Sequence, residues 1–359
     1  MFELSIFQSQ DAFLEMLQSR KHLLDGNRNL SLENCTDEEF LEYFFAIGIL
    51  KDNRTFSPHT IKAYRSDAKT LLSFLAAHAL SFRDIGFPEV KTFNRFMIET
   101  YKPKSALRKL EFFRRFLEFG FNTNFYSTRL SVWIQKPQIQ KGHVADSNGN
   151  RTIMRELSTH EAKIIIDCFS KAVKTQKNRP QIEARNRLIG FLLLTLGIRA
   201  SELIQLNWGS FRHNNRGELL VDVLGKGGKE RTLPIMGETA SILFEYRKIC
   251  DDSTDINPNV TEPLFYSIYN KIDPGVNKKR LSYAALYKIV KEAVNIAGSN
   301  PSVSPHWFRH TFVTSLLEQD VPLAVVKDLA GHADISITNL YLERIQEDRM
   351  HDHLKNVRF

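Results

Sequence analysis

Six side chains in the C-terminal half of this chain, gathered around one phosphate, would carry out metal-free phosphoryl transfer: Arg199, Lys226, His306, Arg309, His332 and Tyr341. Breaking a phosphodiester without a metal needs a nucleophile, positive charge on the non-bridging oxygens, and an acid for the leaving oxygen. A tyrosine hydroxyl can form a covalent phosphotyrosine, which conserves the bond energy for rejoining. The planar guanidinium fork suits the charge that develops on a trigonal-bipyramidal phosphate, so Arg199 and Arg309 make chemical sense as a pair. Lys226, in Gly225-Lys226-Gly227-Gly228-Lys229-Glu230-Arg231, can protonate a leaving oxygen from a hairpin tip.

Each of these residues also has a plainer reading. Tyr341 alone fits a core or surface tyrosine, Arg199 an ion pair with Glu202, Lys226 a turn residue between glycines, and His332 a satisfied core histidine. His306 and His310 have the i, i+4 spacing of a zinc pair, but Trp307 stands where a zincin carries its glutamate base, so no metal is expected. The glycine-rich stretch at Gly225 is not a nucleotide-binding loop, because Lys229 is followed by Glu230 rather than Ser or Thr. The decisive signal is joint occurrence: six placements, each improbable, in one order.

Those blocks, with Leu196-Gly197-Ile198-Arg199-Ala200-Ser201-Glu202-Leu203, His306-Trp307-Phe308-Arg309-His310-Thr311 and Leu329-Ala330-Gly331-His332-Ala333-Asp334 at their centre, resemble the tyrosine recombinase (phage integrase) family of enzymes that cut and rejoin DNA. The resemblance is strong from about residue 155 to 345, fair from 57 to 135, and absent over residues 1–36. It implies that Arg199, His306, Arg309 and His332 hold the phosphate, Lys226 is the general acid, Tyr341 is the nucleophile and Glu202 supports Arg199. Two departures, Trp307-Phe308 and the segment 337–340 before the tyrosine, remove no reactive group. The implied fold is mainly α with a small antiparallel β-sheet in the catalytic domain, a two-domain clamp on duplex DNA.

The implied reaction is site-specific recombination through a 3′-phosphotyrosine and a Holliday junction, with no metal, ATP or other cofactor. The implied partners are a double-stranded recombination site, bound by a monomer or dimer, and a homotetramer on two such sites. One alternative is a type IB topoisomerase, disfavoured by the separate basic helical domain and by the tail after Tyr341. Another is a non-catalytic DNA-binding accessory protein, which would require a lost catalytic position.

Charge supports a polyanionic partner. Residues 1–50 carry three basic against nine acidic side chains, whereas residues 51–200 carry 27 against 12, and each cation that neutralises a DNA phosphate releases counterions. Cys35, Cys168 and Cys250 are odd in number and unpatterned, so they suggest neither a disulfide framework nor a zinc cluster. No signal peptide or membrane-length apolar run is present in the sequence, so the expected location is cytoplasmic, away from membranes.

The elements that must position these groups fall into five segments: a helical extension over 1–36, a helical core DNA-binding domain over 37–135, a polar linker over 136–152, the catalytic domain over 153–341, and a tail over 342–359 serving subunit exchange. Helical spacing marks residues 10–24, 37–49, 57–74 and 105–119. Lys62 and Arg65 on the third, and Lys104, Arg108, Lys109, Arg114 and Arg115 on or beside the fourth, are the expected phosphate contacts, with solvated surface as the equal alternative. In the catalytic domain Ser158 should cap a helix, residues 183–196 should form an apolar helix that delivers Arg199, and strands over 219–224 and 231–235 should flank the Lys226 turn. Helices are predicted over 281–297, 307–319 and 323–329, with a further one over 343–354 in the tail.

Overall fold

A computed structural model describes residues 30–48, 58–137, 156–225, 228–268, 278–332, 334–336, 338–339, 341–343 and 345–346. Two compact units result, Met1–Thr152 and Ile153–Phe359. The helix expected over 10–24, most of the expected linker, Lys226 and the tail beyond residue 346 lie outside the described residues.

Every named element in the described part of the first unit is helical. α1 (Asp37–Tyr43) starts at Thr36, whose Oγ accepts from the Glu39 N–H at 3.2 Å while the Glu39 carboxylate takes the Thr36 N–H at 2.9 Å. This reciprocal cap satisfies two of the donors that a helix start leaves open. The single helix expected to run on to residue 49 ends instead at Tyr43, and a π-helical turn covers Phe44–Gly48. This turn buries Phe44, Phe45 and Ala46 in succession. α2 (Pro58–Ala77), α3 (Phe87–Thr100) and α4 (Pro103–Asn122) follow. α3 was not anticipated as an element, although Val90, Phe93 and Met97 keep helical spacing on its buried side and Pro88 sits in its first turn.

Aromatic rings fill this core. Phe40 stacks on Phe125 at 4.0 Å and meets Phe116 edge-on at 5.0 Å, while Phe93 meets Phe113 at 4.6 Å, spacings that add to the burial of large apolar area. One carboxylate, Asp67 of α2, is buried among them and is held by Arg108 and Lys109 of α4.

In the second unit, α5 (Thr159–Phe169) begins at Ser158, whose hydroxyl accepts from the Glu161 N–H. α6 (Arg179–Thr195) is buried along Ile189, Leu192 and Leu193. After α7 (Ala200–Gln205), three antiparallel strands appear in the order β1 (Phe211–His213), β2 (Leu219–Leu224) and β3 (Glu230–Pro234). The first is too short to show alternation and escaped sequence reading. α8 (Gly237–Ile249), α9 (Tyr283–Ile296), α10 (Pro305–Glu318) and α11 (Leu323–Ala330) complete the named elements. Sequence reading expected only helices beyond the hairpin, yet the described residues between α8 and α9 are irregular. Bridges Asn207↔Pro263 and Tyr266↔Arg280 fix them instead. The core of this unit runs under α5, α6, α8 and α9 and the inner sheet face.

Candidate active site

The site assembles at the C-terminal end of α11. The last backbone carbonyls of a helix have no intrahelical partner and carry its negative dipole end. Here three successive carbonyls are taken by three arginines from three different elements. Leu329 O accepts from Arg231 Nε at 3.0 Å, Ala330 O from Arg309 Nη2, and Gly331 O from Arg199 Nη2 at 3.1 Å.

Arg199 arrives by a sharp turn. α6 gives way to Gly197 at φ +56°, where an added Cβ would lie 2.2 Å from the Phe312 ring, so both conformation and space demand glycine. Arg199 then caps α7, and Glu202 sits one turn in. The Glu202 carboxylate accepts the Arg199 backbone N–H at 2.9 Å and its Nη1 at 2.6 Å. β3 supplies Arg231, whose register partner Val223 and strand neighbour Leu233 both face the core. Arg231 therefore points inward and grips Glu202 with two donors, at 3.2 and 2.7 Å. Its guanidinium lies against Gly331 (φ +65°), where a Cβ would come within 3.0 Å of it.

Arg309, on α10, is 2% exposed and also donates to Gly197 O at 2.9 Å. Burial, with Arg199 nearby, pulls its pKa down to about 10, so it stays cationic at neutral pH. Burial raises the Glu202 carboxyl, but the bonds from Arg231 and the Arg199 N–H outweigh it and hold the group below the ordinary range. His332 follows Gly331, with Nδ1 2.9 Å from the buried Thr338 hydroxyl. Burial and the neighbouring Arg309 and Arg199 depress its pKa to about 4, leaving a neutral ring. Tyr341 stacks at 6.4 Å from His332, and its hydroxyl is hydrogen-bonded to His310 Nδ1. His306 is exposed one turn earlier on α10, its ring 4.4 Å from that of His310.

The structure thus gathers Arg199, Glu202, Arg309, His332 and Tyr341 at one place, with His306 at its edge. The hairpin tip that bears Lys226 is outside the described residues, but its base is local: a Cβ on Gly225 would lie 3.7 Å from Glu202 Oε1. Arg231, His310 and Thr338 were not singled out as site residues from sequence. The alternation of Arg231 with Leu233, and the i, i+4 spacing of His306 and His310, were the signals available.

The residues expected to touch DNA lie on α2 and α4. Lys62 and Lys104 are exposed and Arg65 half-buried. Lys109 is a correction: it is 8% exposed, bound to Asp67 at 3.1 Å and Thr70 at 2.7 Å, so its charge faces inward rather than toward a phosphate. Arg108 also bonds Asp67, and Arg114 and Arg115 pair with Glu111 along α4.

Residues 157–347 match the model of the phage integrase family, a span that holds every residue of this site. The chain belongs to the phage integrase family. It is a site-specific recombinase of the tyrosine type, with relatives of Xer kind. The tyrosine recombinase XerD of Shewanella oneidensis is 27% identical over 309 residues, which cover 85% of this chain and 93% of that protein. XerC of Staphylococcus haemolyticus is 25% identical over 296 residues, 82% and 89% of the two chains. Two solved structures share the fold. They are the XerH recombinase bound to palindromic difH in a post-cleavage complex (TM-score 0.62, 19% identity, 99% of this chain and 91% of that one) and a lambda integrase tetramer bound to a Holliday junction (TM-score 0.60, 15% identity, 92% and 86%). Among the described residues of this integrase-family chain, no helix is long and apolar enough to cross a membrane.

Proposed function

We propose that the chain exchanges strands between two DNA sites through a 3′-phosphotyrosine formed on Tyr341 and a Holliday junction. The observation that carries this reading is the excess of positive charge beside a tyrosine: Glu202 pairs with Arg199 and Arg231, while Arg309 next to them donates to the carbonyls of Gly197 and Ala330. A phosphate diester entering beside Tyr341 completes that charge balance. Arg199 and Arg309 then stabilise the non-bridging oxygens as charge builds on them, a task a divalent ion performs in other phosphoryl-transfer enzymes. His332 is neutral. With Nδ1 engaged by the Thr338 hydroxyl, Nε2 is the ring nitrogen left to meet the same phosphate.

Tyr341 attacks, the bond to the 5′ oxygen breaks, and Lys226 protonates that oxygen. An incoming 5′-hydroxyl later reverses the step on the other duplex, so neither ATP nor a metal is needed. Support for four subunits on two sites comes from the fold shared with a recombinase solved as a tetramer on such a junction, and the tail after Tyr341 is the segment assigned to tie one subunit to the next.

Tyr341→Phe should bind the DNA site normally and form no covalent adduct; an SDS-stable protein–DNA band from this variant would overturn the nucleophile. Lys226→Ala should be rescued on DNA with a 5′-bridging phosphorothiolate, whose sulfur leaves without protonation. Cleavage that EDTA abolishes and added metal restores would overturn the charge assignment.

A further inference from the structure

A phenol is a poor nucleophile at neutral pH, because its ordinary pKa of about 10 leaves roughly one molecule in a thousand ionised. Something must take its proton as the bond to phosphorus forms. Of the groups assigned to the phosphate and the leaving oxygen, Arg199 and Arg309 are cations, and Lys226 already has the task of protonating O5′. The Tyr341 hydroxyl, however, has a nitrogen partner in place. It is hydrogen-bonded to His310 Nδ1, with ring centres 5.4 Å apart.

His310 is set there by α10. Arg309, the preceding residue, turns into the core and donates to Gly197 O, so the next side chain projects about 100° further round the helix, on the side where Tyr341 lies. Its ring is only partly buried and is braced edge-on by the His306 ring one turn earlier.

Resting on the reading of Tyr341 as nucleophile, we infer that His310 is a catalytic residue, the proton acceptor for Tyr341 in cleavage and its donor in rejoining. As the Tyr341 Oη–phosphorus bond forms and the phosphorus–O5′ bond breaks, the phenolic proton passes to Nδ1 while Lys226 gives a proton to O5′. In rejoining, a 5′-hydroxyl attacks phosphorus and gives its proton back to the neutral Lys226 amine, the phosphotyrosine bond breaks, and Nδ1–H returns the proton to the departing phenolate. The neutral Nε2–H form of His310 accepts in the first step, and the imidazolium donates in the second. No outside reactant is required.

The test uses a duplex that the full chain selects from a randomised pool, made with a 5′-bridging phosphorothiolate at the cleavage position mapped with the unaltered chain. Sulfur needs no acid, so the rate of adduct formation reports activation of Tyr341 alone. His310→Ala should bind this duplex as the unaltered chain does and form adduct slower by about 10²-fold or more, with partial recovery in added imidazole. His310→Asn, which keeps a hydrogen-bonding group but no basic nitrogen, should remain slow. Adduct formation by His310→Ala within about threefold of the unaltered rate would overturn the proposal. So would full activity in His310→Asn, or a slow His310→Ala that imidazole leaves unchanged, since each would leave His310 at most a holder of the ring. Tyr341→Phe run alongside separates the two readings: an adduct from that variant sinks the nucleophile itself, whereas the outcomes above remove only its base.

Discussion

Both units bury a carboxylate between cations, Asp67 in the first and Glu202 in the second, and the two behave oppositely. Asp67 in the first unit and Glu202 in the second have side chains that are 0% and 3% exposed, and each is held by two basic side chains. Burial wins at Asp67, so its carboxyl titrates above the ordinary range despite Lys109 and Arg108. At Glu202 burial loses, and the carboxyl titrates below it. The difference lies in geometry. Asp67 is in the middle of a helix, where backbone N–H groups are already bonded, and only side chains reach it. Glu202 is in the first turn of α7, where the Arg199 N–H is free to donate, and it receives a two-pronged grip from Arg231 as well. A buried acid thus fastens a helix pair in one unit and anchors a cationic pocket in the other.

The largest expected effect comes from removing the anchor. Glu202→Leu leaves two buried guanidinium groups without a counter-charge and should cost about 3–5 kcal/mol in denaturant unfolding, with strand cleavage reduced by about 10²-fold. A fully active, stable variant would mean that the carboxylate is incidental to the pocket. Lys109→Met, the matching change in the first unit, should cost less, about 2 kcal/mol, because Arg108 still reaches Asp67. Adding Asp67→Leu should restore most of it, since replacing a buried pair by apolar groups is often neutral. A double variant no better than the single would show that the first-unit pair is a working site rather than a fastening.

Titration sharpens the contrast. Followed by carboxyl NMR on the full chain, Asp67 should protonate above, and Glu202 below, the values of free aspartate and glutamate; the reverse order would break the comparison. Asp67, raised in the folded chain, favours folding at low pH and loses that contribution as pH rises through its folded value. Glu202 does the opposite, losing its contribution as pH falls through its depressed value. His332 adds to the second unit's acid sensitivity. With its pKa moved from 6.5 to about 4, the unfolded chain takes up the proton first, so stability falls between those two pH values and levels off below. A loss of about 2 kcal/mol, allowing for solvent screening, should vanish in His332→Gln.

The smallest effect belongs to α4. Glu111 is pulled down to about 2 by the Arg114 hydrogen bond, against its burial and with help from Lys136, yet the pair is open to solvent. Arg114→Ala should cost under about 1 kcal/mol. If it weakens DNA binding and flattens its salt dependence, Arg114 exchanges Glu111 for a phosphate on the DNA.

What could be read in the chain follows from how local each feature is. Ser158 marks a helix start because a cap acts within three residues, and β2 and β3 show in their alternation about a glycine turn. The break of α1 into a π-helical turn could not be read: its residues pack against partners some seventy residues away, with Phe119 lying 2.9 Å from where a Gly48 Cβ would be. Lys109 misled for the same reason. On a helical wheel it belongs to a basic face, and only Asp67 across the helix pair turns that charge inward.

The sequence alone determined the chemistry on offer, because reactive side chains are named by residue type and their order along the chain is visible without folding. Arg199, Glu202, Arg309, His332 and Tyr341 were all legible in that way. Only the tertiary structure decided that the carbonyls of Leu329, Ala330 and Gly331 are the hub on which three arginines converge, that Arg231 completes the grip on Glu202, and that the hydroxyl of Tyr341 meets His310. Backbone carbonyls carry no residue identity, and a contact across 21 to 132 residues of chain leaves no spacing to read. Such partners exist only once the helix end that joins them has formed.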